Sequence, residues 1–563
     1  MSKHREQSRW LWAAAVVALT AALTFLLSDL VFQTNDDNSI ISAACGGVTG
    51  APYAGNGFTS YLYGLVLSGL YRMYSGLPWH GLLLLSAQLL SCIALVRSLF
   101  FLCDEKGFSR LWGAVAFAAL YSGVGLKFMT HLQFTATPGY CAAGLAALLL
   151  TLPREKRARR FACAVGFGLM AFALLLRWKG GLLALPVPLL AGLAAALPKK
   201  EDSNAPLWLC GAVLLFALLV GGADGLLYRA QEPGWEEQAA FDQASAVLLD
   251  YHNEEQAYAL AASVTDWSPE LISCIRNWNL FLDERFTTEN LNALATAIEN
   301  DLPKPGLYEL VYKTASVLRR YPEFSLMALV FIAMGLWTLA RCFKQKRFVR
   351  CLALLGLGGS LLLVIGYFYG WMNRFPDRVA FAYAWPVYAA LLILFFLCLS
   401  PSGRDRTRPL ALGVLCLGLA ALLTAIPQWE ELTIRPGGGR ESRAALTEQA
   451  DAYASAHPEL VYVTDVTQSF YALSTLRPPV NLLEWGSALI RSPMYQRKLE
   501  VLGYPHGFTC RQLTDASVRL LFAESASLQR LLNCLNADYG PTEAVLEADE
   551  GAFRVYRLQT SEK

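Results

Sequence analysis

The sequence predicts an α-helical polytopic membrane protein of about 11 transmembrane helices, with a helical outer insertion and a small C-terminal α/β outer domain. Composition is the first reason: 55% of the 563 residues are hydrophobic and only 16% are charged, a balance typical of a chain that crosses lipid many times and carries some soluble mass. The second is the recurrence of apolar stretches of about twenty residues, the length needed to cross roughly 30 Å of hydrocarbon. The third is the clustering of Lys and Arg in alternate connections. A net charge of +2 excludes a nucleic-acid partner, because no excess of cations is available to neutralise phosphates along a strand.

The basic N-terminus "MSKHREQSRW" leads into the first apolar stretch, 11–31, which is long for a signal-peptide core and reads as a retained span. Further stretches lie near 80–102, 111–130, 133–152, 161–177, 181–197, 207–226, 322–342, 350–369, 379–400 and 409–428. Segment 57–76, "GFTSYLYGLVLSGLYRMYSG", is ambiguous, and topology decides it. If it spans, the basic connections "PREKRARR" (153–160), "RCFKQKRFVR" (341–350) and "GRDRTR" (403–408) all fall outside, against the positive-inside rule. If it lies on the outer face, those loops, the N-terminal tail and Lys199/Lys200 all fall inside. The second arrangement places the chain in the plasma membrane with its N-terminus in and its C-terminal domain out. Segment 57–76 then becomes an interfacial helix, in keeping with its tyrosines at 61, 63, 71 and 74 beside Arg72.

The resulting organisation is an N-terminal transmembrane module (1–226) with an outer loop at 32–79, an outer helical insertion (227–320), further transmembrane helices (321–428) and an outer α/β domain (429–563). Helical periodicity marks the insertion ("AFDQASAVLLDYH", "TTENLNALATAIEN"). The last domain reads as helix "ESRAALTEQADAYASAH", strands "LVYVTD" and "VRLLFA", helix "SLQRLLNCLNADYG" and a terminal hairpin around "EADEGAF", after the Gly-rich linker "RPGGGR". The thirteen cysteines are scattered without CxxC or Cys/His metal spacing. Cys510 and Cys534 are the one pair for which a disulfide is conceivable.

Charged and polar groups at the outer ends of spans carry the chemical interest, because a charge near hydrocarbon is costly and tends to mark a site. Asp36 and Asp37 follow the first span in "FQTNDDNS". "KFMTHLQFT" supplies Lys127, His131 and Gln133, "RWKGG" supplies Arg177 and Lys179, and "YGWMNRFPDR" supplies Arg374 and Arg378. These cations stand where the positive-inside bias should deplete them, and they suit a lipid phosphate, Arg as a bidentate fork and Lys as a point charge. Neighbouring residues on a helix point about 100° apart, so the two aspartates are not arranged to share a metal or to work as a paired acid and base. One of them would face a cavity, where it could take a proton from an attacking hydroxyl. His131, Gln133, Tyr53 and Asn56 are candidates for holding sugar or acceptor hydroxyls. On their own residues these groups also fit a plainer reading, snorkelling anchors and a solvated acidic collar.

This pattern resembles the GT-C superfamily of glycosyltransferases over the membrane module, roughly 1–428. The likeness rests on the acidic "NDDN" after the first span, the long outer loop with "YLYGLVLSGLYRMY", the basic inner loops and a C-terminal outer domain. The stretch "TNDDNSIISAACGGVTGAPY" also looks like an uncharacterised bacterial branch of that superfamily. The resemblance implies a polyprenyl-phosphate sugar donor, transfer by inversion, and an extracytoplasmic glycan, lipid or protein acceptor. It implies Asp36 as general base with Asp37 as second choice, and Arg177, Lys179, Arg374, Arg378 and Lys127 as holders of the donor phosphate. The chain has no DxD motif and no WWDxG sequon-reader motif, which argues against an oligosaccharyltransferase. No cofactor is indicated, and a divalent metal stays open.

Two other classes compete. A transporter or lipid-linked glycan flippase would carry ionisable groups at mid-membrane and two related halves, whereas these mid-spans are almost free of charge. A non-catalytic assembly protein would need few spans to anchor its outer domains.

Overall fold

The computed structural model describes residues 2–28, 30–196, 204–251, 255–277, 282–301, 305–320, 322–372, 374–400, 408–432, 441–465, 478–486 and 488–560. Lys199, Lys200, nearly all of 403–408 and the Gly-rich 435–440 lie outside the described residues. The chain forms two compact units, each assembled from three stretches of sequence.

The spanning unit takes Met1–Leu30, Gly81–Ala223 and Pro305–Arg435. Among the described residues nine helices are long and apolar enough to cross a membrane, and two shorter apolar helices, Thr137–Leu150 and Arg408–Thr424, fall in the stretches expected at 133–152 and 409–428. Asp377–Cys398 is its most enclosed long helix. It packs against Thr137–Leu150 because Gly139 presents no side chain: a Cβ there would come within 2.7 Å of the Ala382 Cα. Beside this crossing Tyr140 lies 5.1 Å from the rings of both Phe381 and Trp385. Its hydroxyl donates to the Gly125 carbonyl at 2.6 Å. Gly125 belongs to a π-helical turn, Tyr121–Gly125, and such a turn frees a carbonyl that needs a partner in a dry setting.

The first helix, α1 (Ser2–Leu27), is fastened at its start. Arg97 is fully buried, and its guanidinium donates to Glu6 (Nε to Oε1, 2.6 Å) and to the Thr151 carbonyl (2.9 Å). Arg9 adds an ion pair with Asp104 at 2.8 Å. A buried charge persists only when paired and hydrogen-bonded in this way.

The mixed unit takes Val31–His80, Asp224–Lys304 and Pro436–Lys563. It opens with two short helices, α2 (Asn35–Cys45) and α3 (Tyr61–Met73), and meets the long helix α4 (Trp79–Lys106) at His80. With 13 residues, α3 is too short for a span, which takes about 20, and its Ser60 cap accepts from the Tyr63 amide.

The sheet contains β1 (Val461–Thr464), β2 (Leu482–Glu484), β3 (Val518–Phe522), β4 (Thr542–Asp549) and β5 (Arg554–Thr560), in the order β2-β1-β3-β5-β4. β2, β1 and β3 run parallel, while β5 and β4 form the antiparallel terminal hairpin. Two elements go beyond the sequence expectation, β2 and the helix Pro493–Val501. One apolar core joins the insertion to the sheet domain, with Phe241, Leu271 and Leu294 packed in the same cluster as Val463, Trp485 and Leu531. Cys510 and Cys534 are both free thiols, and the Cys534 Sγ donates to the Asp538 carboxylate at 3.6 Å.

Candidate functional site

α2 explains why two acids sit together after the first span. Thr34 is its extended N-cap, and Asp36 and Asp37 fall in its first turn, where the amide dipoles favour negative charge by about 0.3–1 kcal/mol. The helix stops at Gly46, whose φ of 94° is a left-handed cap that glycine adopts without strain.

The two carboxylates then diverge. Asp37 is fully buried: one oxygen lies 3.1 Å from the His80 Nε2, and the other accepts from the Thr34 hydroxyl at 3.2 Å. The His80 Nδ1 lies 2.9 Å from the Tyr63 hydroxyl. A carboxylate only accepts, so the imidazole proton belongs on Nε2 and Nδ1 takes the Tyr63 proton. Burial raises the Asp37 carboxyl above the usual range, and His80 pulls it back. Asp36, about 100° further round the helix, keeps partial exposure. Asp36 thus stays partly open to its surroundings, whereas Asp37 is held by the protein.

The rest of the loop builds itself. The Asn56 side-chain carbonyl accepts from the Phe58 and Thr59 amides at 3.0 Å each, and its amide donates to the Thr59 hydroxyl at 2.9 Å. These are the bonds of an Asx turn, by which Asn56 shapes the loop. Tyr53 is likewise engaged, its hydroxyl donating to Glu232 and its ring lying 4.7 Å beneath the Arg497 guanidinium. Arg497 also reaches Glu232 at 3.5 Å. Tyr53 therefore ties the loop to the insertion and the sheet domain.

In the spanning unit, pairwise contacts bring three inter-span connections together. Lys127 pairs with Asp377 at 3.1 Å, linking 127–135 to 374–378. Arg177 donates to the Thr135 hydroxyl and stacks 4.6 Å over Phe134, linking 127–135 to the Arg177 turn. Arg177, Arg374 and Arg378 are partly exposed and Lys179 is exposed.

Asp377 also accepts from the Arg378 amide at 2.7 Å, so Lys127 already has an anionic partner. His131 and Gln133 are buried. His131 Nδ1 lies 3.0 Å from the Thr130 hydroxyl. The Gln133 side-chain oxygen accepts from the Thr135 and Ala136 amides at the start of helix Thr137–Leu150. Its Nε2 is buried without a hydrogen-bond partner among the described residues. Among those residues no three His, Cys, Asp or Glu side chains gather as a metal site.

His80 and Tyr63 are the residues that sequence reasoning missed. The available signal was a titratable residue at the first position of an otherwise apolar stretch.

No family model matches the chain, and no curated protein does. Among solved structures it is similar to ArnT from Cupriavidus metallidurans in the apo state, at 14% identity and a TM-score of 0.41 over 97% of each chain. The same protein bound to undecaprenyl phosphate is similar at 13% identity and a TM-score of 0.36, again over 97% of each chain. The archaeal oligosaccharyltransferase AglB from Archaeoglobus fulgidus, in complex with an inhibitory peptide and a dolichol-phosphate, is similar at 13% identity and a TM-score of 0.41, covering 98% of this chain and 74% of that one.

Proposed function

We propose that the protein is a membrane glycosyltransferase that moves one sugar from a polyprenyl-phosphate donor to an extracytoplasmic acceptor, with Asp36 as general base. The observation that carries this reading is the division of labour on α2. Asp37 is locked to His80 and Thr34, which leaves Asp36 as the carboxylate that an acceptor can touch. In this mechanism Asp36 takes the proton of the acceptor hydroxyl as that oxygen bonds to the anomeric carbon. The bond from the anomeric carbon to the donor phosphate breaks on the opposite face, and the configuration inverts. The leaving phosphate gathers negative charge, which Arg177, Lys179, Arg374 and Arg378 neutralise. Lys127 can join them only by giving up Asp377.

The test is transfer of a radiolabelled lipid-linked sugar by the purified protein. Asp36→Asn should lower the rate by about 10²-fold or more, the scale on which a positioned base acts. Asp37→Asn, which keeps the shape and most hydrogen bonds, should cost less. Full activity in the double variant would sink the proposal.

A further inference from the structure

A cavity of about 70 Å³ in the mixed unit lies apart from the Asp37–His80 contact, on another face of the helix that carries it. α2 lines it with Ser39 and Ser42, and the sheet domain with Asp451, Glu484, Tyr495 and Lys498. Ser39 and Ser42 are three residues apart and share a face. That face is about 140–160° from Asp37 at 100° per residue, whereas Asp36 is only about 60° from Ser39. The floor is the carboxyl edge of the parallel strands: Thr464 ends β1, Glu484 ends β2, the two are paired in register, and both line the cavity. Ligands of open α/β sheets bind at that edge.

Lys498 is drawn by charge to the Glu484 and Asp451 carboxylates, and one lining group is left over. The Tyr495 hydroxyl is buried without a hydrogen-bond partner among the described residues, in a residue 6% exposed. The side chains of Asp451 and Lys498 make no hydrogen bond or ion pair with any described residue. Leaving a buried hydroxyl unpaired costs roughly 1–3 kcal/mol, so Tyr495 calls for an occupant, which Asp451 and Lys498 can also meet. The set contains an acceptor (Asp451), a donor (Lys498) and a phenol that does either. An ammonium would crowd Lys498, and a phosphate would meet Asp451 and Glu484. A hydroxyl both donates and accepts, so adjacent hydroxyls serve all three.

The space decides how many. Water takes about 30 Å³ of liquid volume, so the cavity holds about two hydroxyl-sized groups and not a whole ring. Pro479, Leu482 and Met494 add an apolar wall suited to the C–H flank of a sugar.

We propose that this cavity binds the hydroxylated edge of a saccharide, through Asp451, Tyr495 and Lys498. The binding stands on the cavity alone; its use in selecting a glycan as the acceptor rests on the transfer reading above. Burial pushes the Asp451 carboxyl up to about 7 and the Lys498 ammonium down to about 8.

Saturation-transfer NMR on the full chain in nanodiscs tests it, without donor, using glycerol and the methyl glycosides of glucose, galactose, mannose and arabinose as probes. At least one glycoside should show transfer that falls at least fivefold in Tyr495→Phe, which removes a single oxygen, and in Lys498→Met. Both variants should melt as the wild type does. The proposal is overturned if no glycoside shows transfer, if both well-folded variants keep it, or if ethanolamine or inorganic phosphate displaces the bound glycoside. Saccharide binding without any sugar transfer would refute the transfer reading alone.

Discussion

Asp451 shows how one carboxyl makes stability depend on pH. Its folded pKa of about 7 stands above the ordinary 3.8, raised first by burial. A group whose folded pKa is raised contributes stability that is fully present below the unfolded pKa and is lost as pH rises through the folded one. Asp451 therefore costs the fold increasingly from about pH 4 to 7 and constantly above. Asp451→Asn should raise the melting temperature at pH 7.5, with the gain shrinking steadily towards pH 4.5; an equal gain at both values would contradict this account.

The same scale shows what the sequence could not reveal. That Asp36 and Asp37 would part ways was legible from the 100° step of a helix. The pairing of Asp37 with His80 was not, because a contact between residues 37 and 80 leaves no local pattern. Asn56 is the opposite case, since its hydrogen bonds close on residues two and three positions away.

Among elements, the apolar helices were the most readable, because length and hydropathy alone decide whether a segment can cross. Strand β2 was unreadable at three residues, too short for alternation to register. Helix crossings were unreadable too, since they depend on which small residue faces which backbone. Gly139 against Ala382 is one such place: Gly139→Ala should cost roughly 1–3 kcal/mol through overpacking and lower the melting temperature by several degrees. Gly168, in helix Lys156–Leu176, has nothing within 4 Å of a Cβ. Gly168→Ala should therefore be neutral or stabilise by up to about 1 kcal/mol. Equal effects at both sites would remove the packing argument.

At the scale of the molecule, each unit is built from three stretches separated in sequence. The insertion and the sheet domain share one core, so a chain ending at residue 435 should leave 227–301 open to limited proteolysis while the full chain resists. Protection of that region in the shortened chain would show that the insertion folds alone. We propose that the N-terminus lies inside and the sheet domain outside.

The Asp37–His80 contact has a meaning for biogenesis as well. The apolar segment 57–76 lies between its partners, and a translocation machine reading hydropathy could thread that segment through the bilayer. Asp37 and His80 would then be stranded on opposite sides of roughly 30 Å of hydrocarbon, each without its partner. Only a chain that keeps the segment on one side can close the pair. The contact would thus favour the threading that keeps 57–76 on one side.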